Sequence, residues 1–157
     1  MVLAIATAGG AGYAPGAPGT VGALVALPLF GLLARLPAVF YAAAVLGLLA
    51  VGIWAAGEAE RIWQTKDDGR IVIDEVVGQL VSLAPLLALR GTGLDARTWA
   101  FLVVTGFVAF RCFDIWKPPP VRQAERHFAG GTGVMLDDVV AGLYGAVVVF
   151  AAARWLA

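Results

Sequence analysis

Charged residues cut this chain into apolar runs, and those runs give the first structural reading. Residues 38–57 form an uncharged stretch of 20 between Pro37 and Glu58. A membrane-crossing helix needs about 20 such residues. Four further runs are shorter: 20–34, 76–89, 98–110 and 139–153 hold 15, 14, 13 and 15 uncharged residues. Carried through their flanking charges, the last three become helices over 71–89, 98–116 and 137–156, each reaching about 30 Å at 1.5 Å per residue. The pattern predicts an all-α integral membrane bundle with about five membrane-level helices, some of them short or re-entrant. One domain over 1–157 suits this length. Residues 9–22 read as a Gly/Pro-rich loop, with Thr20 placed to cap the first span. Pro118-Pro119-Pro120 stops the fourth helix, and a short surface helix over 121–127 and a glycine turn precede the fifth.

Composition sharpens this picture. The chain is 61% hydrophobic and 14% charged, against roughly 25% charged in an ordinary soluble domain. Its net charge is zero, so nothing electrostatic argues for nucleic acid. The N-terminus has no positive flank and reads as mature protein rather than a secretory signal. The single cysteine, Cys112, has no intramolecular partner and no histidine near it in sequence, which suits an inert thiol. No G-x-S-x-G elbow, Walker loop or Rossmann fingerprint is present.

Charge also distinguishes the two membrane sides. With the N-terminus inside, seven of the eleven basic residues fall on the cytoplasmic side, the orientation favoured by the positive-inside rule. Ten of the eleven acids fall there too, Asp95 being the exception. Acids play no part in that rule, so their gathering is separate information and predicts a site at the cytoplasmic face.

Carboxylates beside hydrocarbon are costly and mark functional positions. Asp74-Glu75 opens the third helix, where capping alone does not require two adjacent acids. Gly78 and Gln79 follow one turn later, the first suited to close helix packing and the second to orienting a ligand. Arg111, Asp114 and Lys117 recur at i, i+3 and i+6, which gives either an ion-pair ladder or a stripe that holds metal and phosphate together. The Gly130–Gly133 stretch leads into Asp137-Asp138, and glycine-rich backbone before a helix can aim N–H groups at an anion. Ala141 and Gly142 give the fifth helix a small face. Asp67-Asp68-Gly69 reads as a turn, and Glu58, Glu60 and Glu125 as solvated. His127 is the only histidine, a proton-transfer candidate or a plain surface residue. Two rival readings are a small carboxylate-lined ion or proton transporter and a structural membrane protein.

Four ordered blocks then resemble the bacterial phosphatidylglycerophosphatase A family: A-P-G-T-V-G (17–22), G-R-I-V-I-D-E-V-V-G (69–78), F-R-C-F-D-I-W-K-P-P-P-V-R (110–122) and G-G-T-G-V-M-L-D-D-V-V-A-G (130–142). The resemblance implies Mg²⁺-dependent removal of the phosphate monoester from phosphatidylglycerophosphate, at the cytoplasmic face of the bacterial inner membrane. It implies Asp74, Glu75, Asp114, Asp137 and Asp138 as metal ligands, with Asp74, Glu75, Asp114 and Asp138 also catalytic. Arg111 and Lys117 fall on its basic positions, and Gly131, Thr132 and Thr20 join them as candidate phosphate contacts. The partners implied are the phospholipid and the bilayer, with homo-oligomerisation left open. Two positions depart from the family pattern: Ala129 stands where histidine often precedes the glycine pair, and Ala23 where serine is usual.

Overall fold

The computed structural model describes residues 1–119, 121 and 128–156, and among these the regular structure is entirely helical. A short α1 (Val2–Ala6) and a 3-10 turn (Ala8–Tyr13) lead into α2 (Pro18–Leu33), α3 (Ala38–Trp63), α4 (Ile73–Leu83), α5 (Ala96–Trp116) and α6 (Gly131–Leu156). A 3-10 segment, Ala84–Leu89, extends α4. Among the described residues, α3, α5 and α6 are long and apolar enough to cross a membrane. Their 26, 21 and 26 residues correspond to roughly 39, 31 and 39 Å. All-α architecture and membrane-level helices thus agree with the sequence pattern.

The shortest of the main helices is the centre of the bundle. Nine of the eleven residues of α4 are buried, and α2, α3, α5 and α6 all pack on it. A run of 14 apolar residues is shorter than a membrane span needs and suits a buried helix. The outer faces of α3, α5 and α6 are apolar and exposed, as at Phe40, Leu46, Val104, Val147 and Phe150. A continuous apolar exterior of this kind suits lipid rather than water.

Glycine sets how closely α4 and α6 approach. A Cβ at Gly142 would lie 2.3 Å from the Gly78 carbonyl oxygen, and one at Gly78 would meet the Phe110 ring and the Asp138 carbonyl. This is the close approach expected of Gly78 and the Ala141-Gly142 face. Two buried hydroxyls fasten other helices by donating to backbone carbonyls: Tyr41 of α3 to Leu80 at 2.7 Å, and Ser82 of α4 to Gly106 of α5 at 2.9 Å.

Several boundaries differ from expectation. Pro18 starts α2, with Ala17 at the N-cap position, so Thr20 lies inside the first turn and caps nothing. Proline at a first helical position is pre-set in φ and loses no hydrogen bond there. Helix α4 begins at Ile73 rather than Ile71, because the Val72 N–H bonds the Ala6 carbonyl at 2.9 Å. Helix α6 begins at Gly131, six residues before Asp137, so the glycine stretch forms its first turn and the acid pair its second. Helix α5 ends at Trp116, two residues before Pro118; Lys117 is its left-handed C-cap at φ 46° and is not part of the helical face carrying Arg111 and Asp114. The expected helix over 121–127, with Arg122, Glu125, Arg126 and His127, lies outside the described residues apart from Val121.

Candidate active site

The N-terminal ends of α2, α4 and α6 and the C-terminal ends of α3 and α5 meet at one end of the bundle, where the acidic residues gather. Asp74 and Glu75 occupy the first turn of α4, where the helix dipole favours anions. Asp138 comes from α6 and is 3% exposed, and Asp74 is 8% exposed. One carboxylate oxygen from each of Asp74, Glu75 and Asp138 lies within 4.8 Å of the other two. Asp138 also faces Asp114 of α5. Residues 64 positions apart in sequence, Asp74 and Asp138, therefore share one buried spot.

Among the described residues, only part of this negative charge is balanced. Arg111 pairs with Asp114 and reaches Glu75 at 3.8 Å. Lys117 donates to Asp137 at 2.7 Å, and the other Asp137 oxygen accepts the Asp138 N–H at 2.9 Å. Asp137 is thus drawn toward the cation on the α5 C-cap, while Asp138, about 100° further round α6, faces the carboxylate cluster. Glu75 Oε2 and Asp138 Oδ2 are buried with no hydrogen-bond partner among the described residues. Buried polar groups are normally paired, and unbalanced carboxylates in low dielectric are far costlier than neutral ones. Hard oxygen donors left open at a shared spot could hold a metal ion, since hard cations take carboxylate oxygens.

The predicted site residues do not all converge. Asp74, Glu75, Asp114, Asp138 and Arg111 come together, and Lys117 with Asp137 flanks them. Thr20 lines a hollow beside Arg111. Gly131 and Thr132 instead line a separate cavity of about 660 Å³ with Glu60, Arg61 and Lys66. Gly131 is small because α3 is close: a Cβ there would lie 2.1 Å from the Ile53 carbonyl oxygen. Glu58 pairs with Arg61 at the surface, and Glu60 accepts the Asp67 N–H at 2.7 Å. Asp68 is occupied by Arg70, whose hydrogen bond and charge hold its carboxyl below the usual range.

One residue at the site escaped sequence reasoning. Gly19, in the first turn of α2, has no room for a Cβ, which would lie 1.9 Å from Glu75 Oε1 and 3.2 Å from Arg111 Nη1. It is the notch through which the Glu75 carboxylate meets α2. Gln79 is fully buried, and neither of its amide atoms has a partner among the described residues. It lies one turn beyond Glu75 on the same face of α4.

Comparison with known proteins follows this geometry. The family described as Phosphatidylglycerophosphatase A matches residues 4–153. A Bacteroides thetaiotaomicron protein provisionally named a phosphatidylinositol-3-phosphatase is 43% identical, over 97% of this chain and 92% of its own length. Phosphatidylglycerophosphatase A of Escherichia coli K12 is 34% identical, over 90% of this chain and 77% of its own. The protein of that name from Haemophilus influenzae is 39% identical over 57% of this chain and 50% of its own. No solved structure gives a significant match. With its four motif blocks all inside the matched span, the chain belongs to the phosphatidylglycerophosphatase A family, a family of phosphatases.

Proposed function

We propose that this protein hydrolyses the phosphate monoester of phosphatidylglycerophosphate, giving phosphatidylglycerol and phosphate, at the cytoplasmic face of the bacterial inner membrane. The observation that carries the reading is the meeting of Asp74, Glu75 and Asp138 within 4.8 Å, beside Arg111, at one end of a bundle with three membrane-length helices. A lipid headgroup sits at that level while its acyl chains stay in hydrocarbon. The family match and the names of two relatives support the substrate.

Asp74, Glu75 and Asp138 would hold Mg²⁺, with Asp114 next to them and Asp137 at the flank. When bound, the ion supplies charge neutralisation at the phosphoryl oxygens and lowers the pKa of a water. Arg111 is positioned by Asp114 and Glu75, and its buried Nε has no partner among the described residues, which leaves a donor for a phosphoryl oxygen. A guanidinium suits this task because it offers several donors in a fixed fork. Lys117, held by Asp137, adds positive charge at the rim. One acid of the set takes the proton of the attacking water as the P–O ester bond breaks and the glycerol oxygen regains a proton.

The test is phosphate release from phosphatidylglycerophosphate by the purified protein in nanodiscs, with Mg²⁺ and then with chelator. Release that depends on Mg²⁺ is expected, and Asp74→Asn should abolish it. No release in either condition would overturn the reading. The relative named a phosphatidylinositol-3-phosphatase makes phosphatidylinositol 3-phosphate the right competing substrate. Faster turnover of that lipid would move the assignment while keeping the chemistry. A transporter relay needs buried acids through the membrane thickness, whereas the buried acids among the described residues, Asp74, Asp137 and Asp138, all lie at one end.

A further inference from the structure

The lipid-facing side of α5 is hollowed next to the acidic cluster. A recess of about 760 Å³ is lined by Thr20 of α2 and by Phe107, Val108, Arg111, Cys112 and Trp116 of α5. Helices α2 and α5 touch each other sparsely, because each packs mainly on α4 or α6. The recess therefore lies at a gap between two helices, on the outside of the bundle. Its strongest polar group is Arg111, the residue that also meets Glu75 and Asp114. Apart from Arg111 and Thr20 the lining is largely apolar, and Phe107 and Val108 lie one turn further along α5. A second apolar recess of about 440 Å³ shares Val108 and Cys112 and continues to Val104 and Val148. Val104 is seven residues before Arg111, or about 10 Å along the axis.

We propose that the α2–α5 recess seats the first segment of an acyl chain of the phospholipid whose phosphate is held at Arg111, so that substrate enters sideways from the bilayer. This rests on the function proposed above and adds the route and the basis of lipid selectivity. Phosphate contact and apolar lining adjoin at a single residue, which matches an amphipathic ligand with one charged end. A water-soluble phosphate ester would use Arg111 and leave the recess unfilled. An acyl chain lying there passes from bulk lipid to the protein surface without crossing water, so the step carries no desolvation of hydrocarbon.

The recess can be filled by one substitution. Cys112→Trp should raise KM for a long-chain phosphatidylglycerophosphate by about tenfold, because the indole clashes with the chain in the recess, with kcat within about twofold. For a short-chain, water-soluble ester of the same headgroup, kcat/KM should shift by less than about twofold. Val147→Trp, on the exposed face of α6, should leave both substrates alone. The second measurement needs no turnover. Cys112 is the only cysteine and is exposed, so its alkylation by a small uncharged maleimide reports the recess. A non-hydrolysable long-chain phosphonate should slow that alkylation severalfold, and its short-chain counterpart should not. Unchanged long-chain KM in Cys112→Trp, or equal protection by both phosphonates, overturns the proposal. If the tryptophan variant does not fold, the protection experiment on the native chain decides. If the native chain releases no phosphate from any ester, the hydrolytic reading fails while protection still reports lipid docking.

Discussion

At one end of the bundle Asp95 accepts three hydrogen bonds, from the N–H groups of Arg97 and Thr98 and from the Thr98 hydroxyl, at 2.8, 3.0 and 2.9 Å. Near it Arg90 donates to the carbonyls of Ala34 and Leu36, closing the C-terminal end of α2. The Asp95 contacts are local and exposed, those of an ordinary helix cap, whereas those of Arg90 cross 56 and 54 positions of chain. At the other end Asp74, Glu75 and Asp138 come from two helices and are largely buried, and Glu75 Oε2 and Asp138 Oδ2 have no partner among the described residues. The same residue type thus stands in two different settings. An aspartate that only caps a helix is satisfied by its own next turn. The aspartates of the proposed site are brought together by packing, and Asp138 keeps an oxygen without a partner among the described residues. Chain position does not separate the two cases, since Asp95 and Asp74 both stand at helix starts.

The comparison breaks first at the cluster. Asp74→Asn or Asp138→Asn should lower kcat by at least about a hundredfold, while Asp95→Asn should leave it within about twofold. Equal losses at both ends, measured as phosphate release, would erase the distinction. Next comes Arg111→Lys, which keeps the charge but cannot reach Asp114 and Glu75 together. It should cost about tenfold or more in kcat/KM, because the fork geometry is lost. Packing gives a parallel contrast in stability. Gly142→Ala drives a Cβ into the Gly78 carbonyl, whereas a Cβ at Gly47 meets nothing within 4 Å. Thermal melts in detergent should show Gly142→Ala destabilised by about 1–3 kcal/mol. Gly47→Ala should be neutral, or stabilised by up to about 1 kcal/mol.

What the sequence revealed follows the same divide. The helices were legible because charges bound the apolar runs, and the acid end was legible because alternating spans return Asp74, Asp114 and Asp138 to one side. Tertiary contacts decided the rest. Nothing in the order Asp137-Asp138 says which of the pair faces the cluster; the Lys117 ammonium on the α5 cap settles it. The early start of α6 follows from Gly131 lying against the backbone of α3, a contact no local signal announces. Gly19 matters only because Glu75 arrives beside it from another helix. Thr20 looked like an N-cap by residue type, yet Pro18 starts the helix two positions earlier.

The smallest effect sharpens the comparison from the quiet end. Hydrogen bonds to Asp95, the Thr98 N–H first among them, hold its carboxyl below the ordinary range. Asp95→Ala removes those bonds and leaves the first turn of α5 uncapped. The melting temperature should fall by a few degrees at pH 7, with phosphate release at permissive temperature unchanged. The sign with pH follows from linkage. The folded pKa is the lower one, so the stabilisation is complete above about pH 4, the unfolded value. It is lost as pH falls through the folded value, and the difference between native and Asp95→Ala proteins should close in acid. A gap that stayed constant from pH 7 to acid would mean that Asp95 acts as a neutral acceptor, and a loss of turnover would mean that the far end of the bundle is coupled to the cluster after all.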